Sequence, residues 1–393
     1  MMTPRQKIKL SVFTLEGANS FATVFYFTYL YFFMRDAFGF GDKRNLAVAA
    51  SLGLIYALSA THTGKFAQRR GYFSALKVGY SIMALGFVFG LFLKFTAGQI
   101  FAAITVTFGM CFIWPTLEAF ASDGETAEGL PRIVGIYNVV WATTAALAFF
   151  IGGTLINAFS YNVIFILPLI MDLGMLGLTF WMKRLSTEMA REALDATAAA
   201  HAEAHQPASP NAKTFLQMAW LANPFAYIAI QTLIAVIPGI AAKFQMSPML
   251  TGFVCSFWYF VRMGAFVALW RWEGWHYRFR WLAAAFVFLV ASFATILMSP
   301  NLIILIVAQI FFGGAIGLIY YSSLFYSMDA SDTRGEHGGI HEAAIGFGNC
   351  AGPAVGALSL QFMPHYANSG AIAVSILLLC GFAGLLTIWK MGK

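Results

Sequence analysis

Lys183 to Lys213 reads KRLSTEMAREALDATAAAHAEAHQPASPNAK. The stretch holds Lys183, Arg184, Glu188, Arg191, Glu192, Asp195 and Glu203, and it ends in a Pro/Ser/Asn cluster. Nowhere else does the chain stay polar for so long. On each side lies a similar length of almost continuous apolar sequence. A polar pivot between two hydrophobic halves reads as two membrane bundles joined by a loop in water. The competing reading is an ordinary loop between unrelated halves.

The composition agrees with lipid as the solvent. Of 393 residues, 60% are hydrophobic and 10% charged, against about 25% charged in soluble domains. So little polar surface cannot cover a folded chain in water. The four cysteines, Cys111, Cys255, Cys350 and Cys380, fall inside apolar runs without metal-ligand or CxxC spacing, and read as small buried residues. Arg5, Lys7 and Lys9 precede an apolar run as in a signal peptide. That run is too long, and no small-residue cleavage site follows it, so it reads as the first membrane helix.

A helix needs about 20 apolar residues to cross a bilayer, because its backbone must be paired within the segment. Twelve stretches qualify, at 9–33, 46–64, 73–95, 98–121, 133–157, 162–182, 214–240, 247–270, 279–298, 301–326, 340–362 and 368–390. Six precede the pivot and six follow it. This gives an all-α membrane protein with bundles at 1–183 and 214–393 and a linker at 184–213. With the N-terminus in the cytoplasm, eighteen Lys and Arg fall on the cytoplasmic side and five on the other, Arg35, Lys43, Arg44, Lys94 and Lys243. That asymmetry places both termini and the pivot in the cytoplasm, in an inner or plasma membrane. It also accounts for the net charge of +7 as a topology signal, leaving no nucleic-acid footprint.

The halves repeat at an offset of about 204 residues. Gly135, Ile136 and Asn138 open helix five as Gly339, Ile340 and Glu342 open helix eleven, and Gly152 aligns with Gly356. Six helices repeated in one orientation are parallel repeats about an axis along the membrane normal. Between helices two and three the chain reads Gly64-Lys-Phe-Ala-Gln68-Arg69-Arg70-Gly71-Tyr72. This resembles the loop motif of the major facilitator superfamily, G-x-x-x-D-R-x-G-R/K, in Gly64, Arg69 and Gly71. Gln68 stands at the acidic position and Tyr72 at the final basic one. The resemblance implies a conformational latch between the bundles, carried here by Arg69 and Arg70 without a carboxylate at 68.

Helix eleven carries Gly346-Phe-Gly348-Asn-Cys-Ala-Gly352-Pro353-Ala-Val-Gly356. A dinucleotide fingerprint would need a preceding strand and a soluble βαβ unit, which the chain lacks. At spacing four, Gly348, Gly352 and Gly356 form one smooth face for close helix packing, with a kink at Pro353. The run is similar to the G-x-x-x-G-P-x-x-G pattern of the same superfamily, which that family places in helix five of proton-linked exporters. Helix five here has only Gly152-Gly153 and no proline.

Charges inside membrane helices are the sharpest functional signals, since each costs about 2.5–3.5 kcal/mol on insertion scales. They are Glu16 in helix one, Glu118 in helix four, Asp172 in helix six, Arg262 in helix eight, and His341 with Glu342 in helix eleven. The three glutamates also lie near the cytoplasmic ends, where water or a loop cation would satisfy them. The resemblance implies a cavity lined by helices one, two, four, five, seven, eight, ten and eleven. Carried onto this chain, the lining is Glu16, Asn19, Thr23, Tyr26, Trp114, Glu118, Asn138, Trp141, Gln231, Arg262, Tyr320, Tyr321 and Glu342, with His341 beside it. Helix six in that family faces lipid or a neighbour, which sets Asp172 aside. Aromatic walls with few charges suit an amphipathic organic solute, and Arg262 suits a carboxylate or phosphate.

The expected function is secondary active transport of a small organic solute by alternating access. Glu16 and Glu342 are the candidate proton carriers. The alternative is a non-transporting assembly factor or receptor on the same fold. The chain has no HExxH, GxSxG, Walker loop or metal-spaced His/Cys cluster, so an enzyme, a cofactor and a metal are not expected. The expected partners are the solute, a proton and membrane lipid, and the expected state is a monomer.

Overall fold

In a computed structural model the protein is described over residues 3–123, 129–193, 211–329 and 334–392. Those residues form helices and short connections, with no strand among them. The first half is α1 (Pro4–Phe38), α2 (Asp42–Arg70), α3 (Tyr72–Phe92), α4 (Thr96–Ser122), α5 (Leu130–Phe159) and α6 (Val163–Ala193). The second is α7 (Ala212–Lys243), α8 (Pro248–Cys255), α9 (Phe257–Arg271), α10 (Phe279–Met298), α11 (Leu302–Asp329), α12 (Arg334–Phe362) and α13 (Ser369–Met391). Counting α8 and α9 as one broken span gives twelve spans. The helical part of α6 runs to Ala193, past residue 183, and residues 194–210 of the expected linker lie outside the described residues. The end of the molecule where α6 stops and α7 starts is called here the linker end, and the opposite end the far end.

Local chemistry sets the helix limits. Thr3 caps α1 by accepting from the Gln6 backbone N–H at 3.3 Å, while the Gln6 side chain accepts from the Thr3 N–H at 2.9 Å, and Pro4 takes the first helical position. Gly39 ends α1 with φ 65°, and Gly71 turns α2 into α3 with φ 84°. Ser247 caps α8 by accepting from the Leu250 N–H at 3.2 Å, again with proline next.

Among the described residues eleven helices, with α8 and α9 counted as one, are long and apolar enough to cross a membrane. The 35-residue α1 is long enough but more polar. It can afford Ser11, Asn19, Ser20, Thr23 and Thr28 because all five are buried against other helices. Large apolar side chains cover the outside instead, among them Phe92, Phe159, Ile170, Ile303 and Leu379, as expected for a surface solvated by acyl chains.

The eighth span breaks because a side chain enters its hydrogen-bond ladder. In a continuous helix the Trp258 N–H would reach the Val254 carbonyl. Gln309 of α11 takes both groups: its Nε2 donates to the Val254 carbonyl at 3.0 Å, and its Oε1 accepts from the Trp258 N–H at 3.4 Å. The backbone therefore stays paired across the break, as lipid requires.

The halves meet where glycine lets backbones touch. A Cβ added to Gly53 of α2 would stand 2.4 Å from the Asn349 and Cys350 backbone of α12, and one on Gly346 of α12 would stand 2.5 Å from the Ala57 nitrogen of α2. On the other flank, a Cβ on Gly153 of α5 would stand 2.1 Å from the Pro248 carbonyl of α8. Gly348 and Gly352 bring α12 equally close to α7: an added Cβ would stand 2.3 Å from the Pro224 oxygen at Gly348 and 2.4 Å from the Ile228 oxygen at Gly352, and one at Gly356 would stand 3.2 Å from Leu46. Pro353 lies inside α12 beside this contact. Such approaches give van der Waals contact where no hydrophobic effect drives association.

This packing yields the first prediction. Gly53→Ala must push α2 from α12 and should destabilise by about 1–3 kcal/mol. Gly174→Ala, with nothing within 4 Å of the new Cβ, should hold or slightly raise the melting temperature through the helix propensity gained. Thermal unfolding of the purified variants compares them, and equal melting temperatures would contradict the close contact.

Candidate functional site

Between the halves lies a cavity of about 190 Å³. Four helices of each half wall it. The first half supplies Thr23, Val24, Phe27 and Thr28 of α1, Leu52, Gly53 and Tyr56 of α2, Thr107, Met110 and Trp114 of α4, and Trp141 of α5. The second supplies Tyr227, Ile230, Gln231 and Ile234 of α7, Tyr259 and Arg262 of α9, Tyr320 of α11, and Glu342, Ile345 and Asn349 of α12.

Arg262 and Glu342 are the charged groups of this wall. Arg262 is 3% exposed. Its guanidinium carbon lies 4.5 Å from the centre of the Trp141 ring, 4.9 Å from that of Tyr320 and 5.4 Å from that of Phe266. Trp141 belongs to the first half and the other two to the second, so a cage built by both halves holds one cation. The Trp141 indole is fixed in turn, donating to Asn138 Oδ1 at 3.0 Å. Arg262 Nε and Nη2 are buried without a hydrogen-bond partner.

Glu342 accepts a short hydrogen bond from the Tyr56 hydroxyl, joining α12 to α2 across the interface. Gln231 Nε2 donates to the Tyr31 hydroxyl at 3.3 Å, joining α7 to α1. At the far end the halves also touch: Gly239 packs against the Asp42 carboxylate, and Lys43 donates to Gln361 at 2.9 Å.

Of the residues singled out from the sequence, Thr23, Trp114, Trp141, Gln231, Arg262, Tyr320 and Glu342 line the cavity. The others lie behind it. Glu16 is fully buried and accepts from Ser20 at 3.2 Å through Oε1, while its Oε2 has no partner. Asn19 is fully buried with both amide atoms unpartnered. Burial by neighbouring helices, where loop water was the simpler expectation, is the environment of Glu16. Tyr26 packs its ring on Phe87 and Phe165, Glu118 is half-buried on α4, and Asn138 supports Trp141. Tyr321 faces Phe266 and Trp275. His341 sits against the Tyr320 ring with Nδ1 3.4 Å from the Ser323 hydroxyl. Gly64, Gln68, Arg69 and Arg70 form the last turns of α2, and both arginines are exposed.

The cavity also holds residues that sequence reasoning missed: Tyr56, Tyr227, Tyr259, Thr107 and Asn349. Outside it, Asp172 is fully buried in α6 with both carboxylate oxygens unpartnered. Among the described residues no group of His, Cys, Asp and Glu is placed to hold a metal ion.

The caged guanidinium sets up the second prediction. Burying a charge costs several kcal/mol, and cation–π contacts return about 2 kcal/mol. Arg262→Met should therefore raise the melting temperature of the ligand-free protein. A lower melting temperature would mean that the cage fully compensates the charge.

No protein-family model matches the chain, and no curated protein matches it in sequence. Solved structures do. The human organic anion transporter MFSD10 (TETRAN) superposes with a TM-score of 0.68 at 13% identity, covering 98% of this chain and 100% of its own. A proton-dependent oligopeptide transporter gives 0.66 at 15% identity, covering 98% and 99%. A bacterial homologue of the human drug peptide transporters PepT1 and PepT2 gives 0.67 at 15%, again covering 98% and 99%. All three are similar over their full length, and the eight helices that wall the cavity are the set that the loop motif led us to expect. This chain has the fold of the major facilitator superfamily transporters.

Proposed function

We propose that the protein is a secondary active transporter that moves a small organic solute by alternating access, with a proton as the coupling ion. One observation carries the reading: a cavity walled equally by both halves, with the cation of one half caged by an aromatic ring of the other. Rocking one bundle on the other would dismantle that cage and expose the cavity to one side at a time. The similar structures are described as transporters of organic anions and of peptides, the latter proton-dependent, which supports the solute class and the coupling ion.

In this reading the rocking bodies are residues 1–183 and 214–393, joined by the linker at 184–213. The Lys/Arg asymmetry puts the linker end and both termini in the cytoplasm of an inner or plasma membrane. Gly64 to Gly71 acts as the latch through Arg69 and Arg70. Glu342 exchanges a proton at the cavity wall. Tyr56 reports that exchange to α2, because its hydroxyl bonds a carboxylate better than a neutral acid. Glu16, one layer deeper, is the second carrier.

Proteoliposomes with an imposed pH gradient test this. Wild-type protein should accumulate a solute from a panel of organic acids, amino acids, peptides and nucleosides, and the gradient should increase uptake. Glu342→Gln should lose the gradient response while keeping solute exchange at equal pH. Full gradient response in both Glu342→Gln and Glu16→Gln would remove these residues from coupling. No flux of any solute would sink the transport reading.

A further inference from the structure

Arg262 differs from the other basic residues of this chain. Every other Lys and Arg reads as lying at or beyond a helix end, while Arg262 sits mid-membrane at 3% exposure. A guanidinium stays charged under all physiological conditions. The site must therefore satisfy its charge in some state of the cycle.

The aromatic cage does only half of that. Trp141, Tyr320 and Phe266 engage the cation through ring electrons, but rings do not replace the acceptors that N–H groups require. The two unpartnered donors are Nε and Nη2. They share one side of the guanidinium, the side that binds a carboxylate through two parallel hydrogen bonds. Among the described residues no ion pair joins Arg262 to a carboxylate, and Glu342 is already engaged by Tyr56. An acceptor is missing, and its required geometry is a fork.

The rest of the wall limits what carries that acceptor. Phe27, Leu52, Ile230, Ile234 and Ile345 make it mainly apolar. At about 190 Å³ the cavity is smaller than the ~300–1,000 Å³ of drug-sized sites. Charge limits it further: Arg262 is the one cation among the residues that line the space, and it pairs one carboxylate, so the second charge of a dianion would be buried without a partner.

We propose that the cavity binds a compact organic monocarboxylate, its two oxygens held side-on by Nε and Nη2 of Arg262 and its apolar body against α1, α2 and α7. This rests on the transport reading only for its purpose, since binding is measured without flux. The protein shields this donor pair from solvent, so a carboxylate on it would be held in a dry site. Trp141 lies in the other half, so an anion on Arg262 acts at the contact between the bundles and favours the state in which they are closed around it.

The test titrates the purified full-length protein with acetate, butyrate and benzoate against their neutral twins acetamide, butyramide and benzamide. Benzylammonium and phenyl phosphate serve as the cation and the dianion, and glycine as the zwitterion. At least one monocarboxylate should bind, with its amide at least about thirtyfold weaker, the size expected when a buried charged pair loses one partner. Arg262→Gln should weaken the acid by a similar factor and leave the amide unchanged. Binding of none of the three acids would overturn the proposal. So would an amide, the ammonium or the phosphate ester binding as well as the acid, or glycine binding better than acetate. If Arg262→Gln does not fold, the acid–amide ratio of the wild-type protein decides alone. Flux of non-carboxylate solutes only would refute this inference and leave transport standing, whereas carboxylate binding without any flux would do the reverse.

Discussion

The structure depends on backbones touching across the membrane interior. Gly53 lies on the Asn349–Cys350 peptide and Gly346 on Ala57, so at these points α2 and α12 meet backbone to backbone. In lipid, where apolar side chains gain nothing by leaving their solvent, such close contact is the main available adhesive. A smooth contact can also part and re-form without unthreading a core, which packed side chains resist. The same two helices carry the Tyr56–Glu342 bond. The surface on which the halves would move is thus the surface where a proton would be exchanged.

Polar groups inside the bundles are of two kinds. Some are paired and serve the helix scaffold: Gln309 repairs the break in the eighth span, and Tyr29 donates to the Phe149 carbonyl at 2.6 Å. Others are left short, among them Arg262 and Glu16 of the functional reading and Tyr80, Thr116 and Asn223 outside it. Unsatisfied buried groups lower stability and persist where something other than stability maintains them. Asp172 is another such group, buried with both oxygens unpartnered and away from the cavity wall.

Hydropathy and charge made the spans and the two halves legible, because lipid imposes length and composition on each helix separately. Arg262 was legible for the same reason, since a mid-span charge stands out in any apolar run. The cavity was legible only in part. Tyr56, Tyr227 and Tyr259 look like any other tyrosine in a chain with fifteen, and their place depends on helix rotation. Glu16 and Asn19 attracted attention by polarity, yet they face the interior of the first half. The break at Ser256 was invisible because its cause, Gln309, lies 55 residues beyond Val254. No local pattern announces a side chain arriving from another helix.

Relative motion of the halves is the central claim, and spin-label distances measure it most directly. In a background without native cysteines, one label pair at Lys43 and Gln361 reports on the far end, and one at Arg70 and Arg271 on the linker end. Adding a bound solute should change the two distances in opposite directions, one end opening as the other closes. Two distances that stay fixed, or that grow and shrink together, would contradict rocking about the cavity.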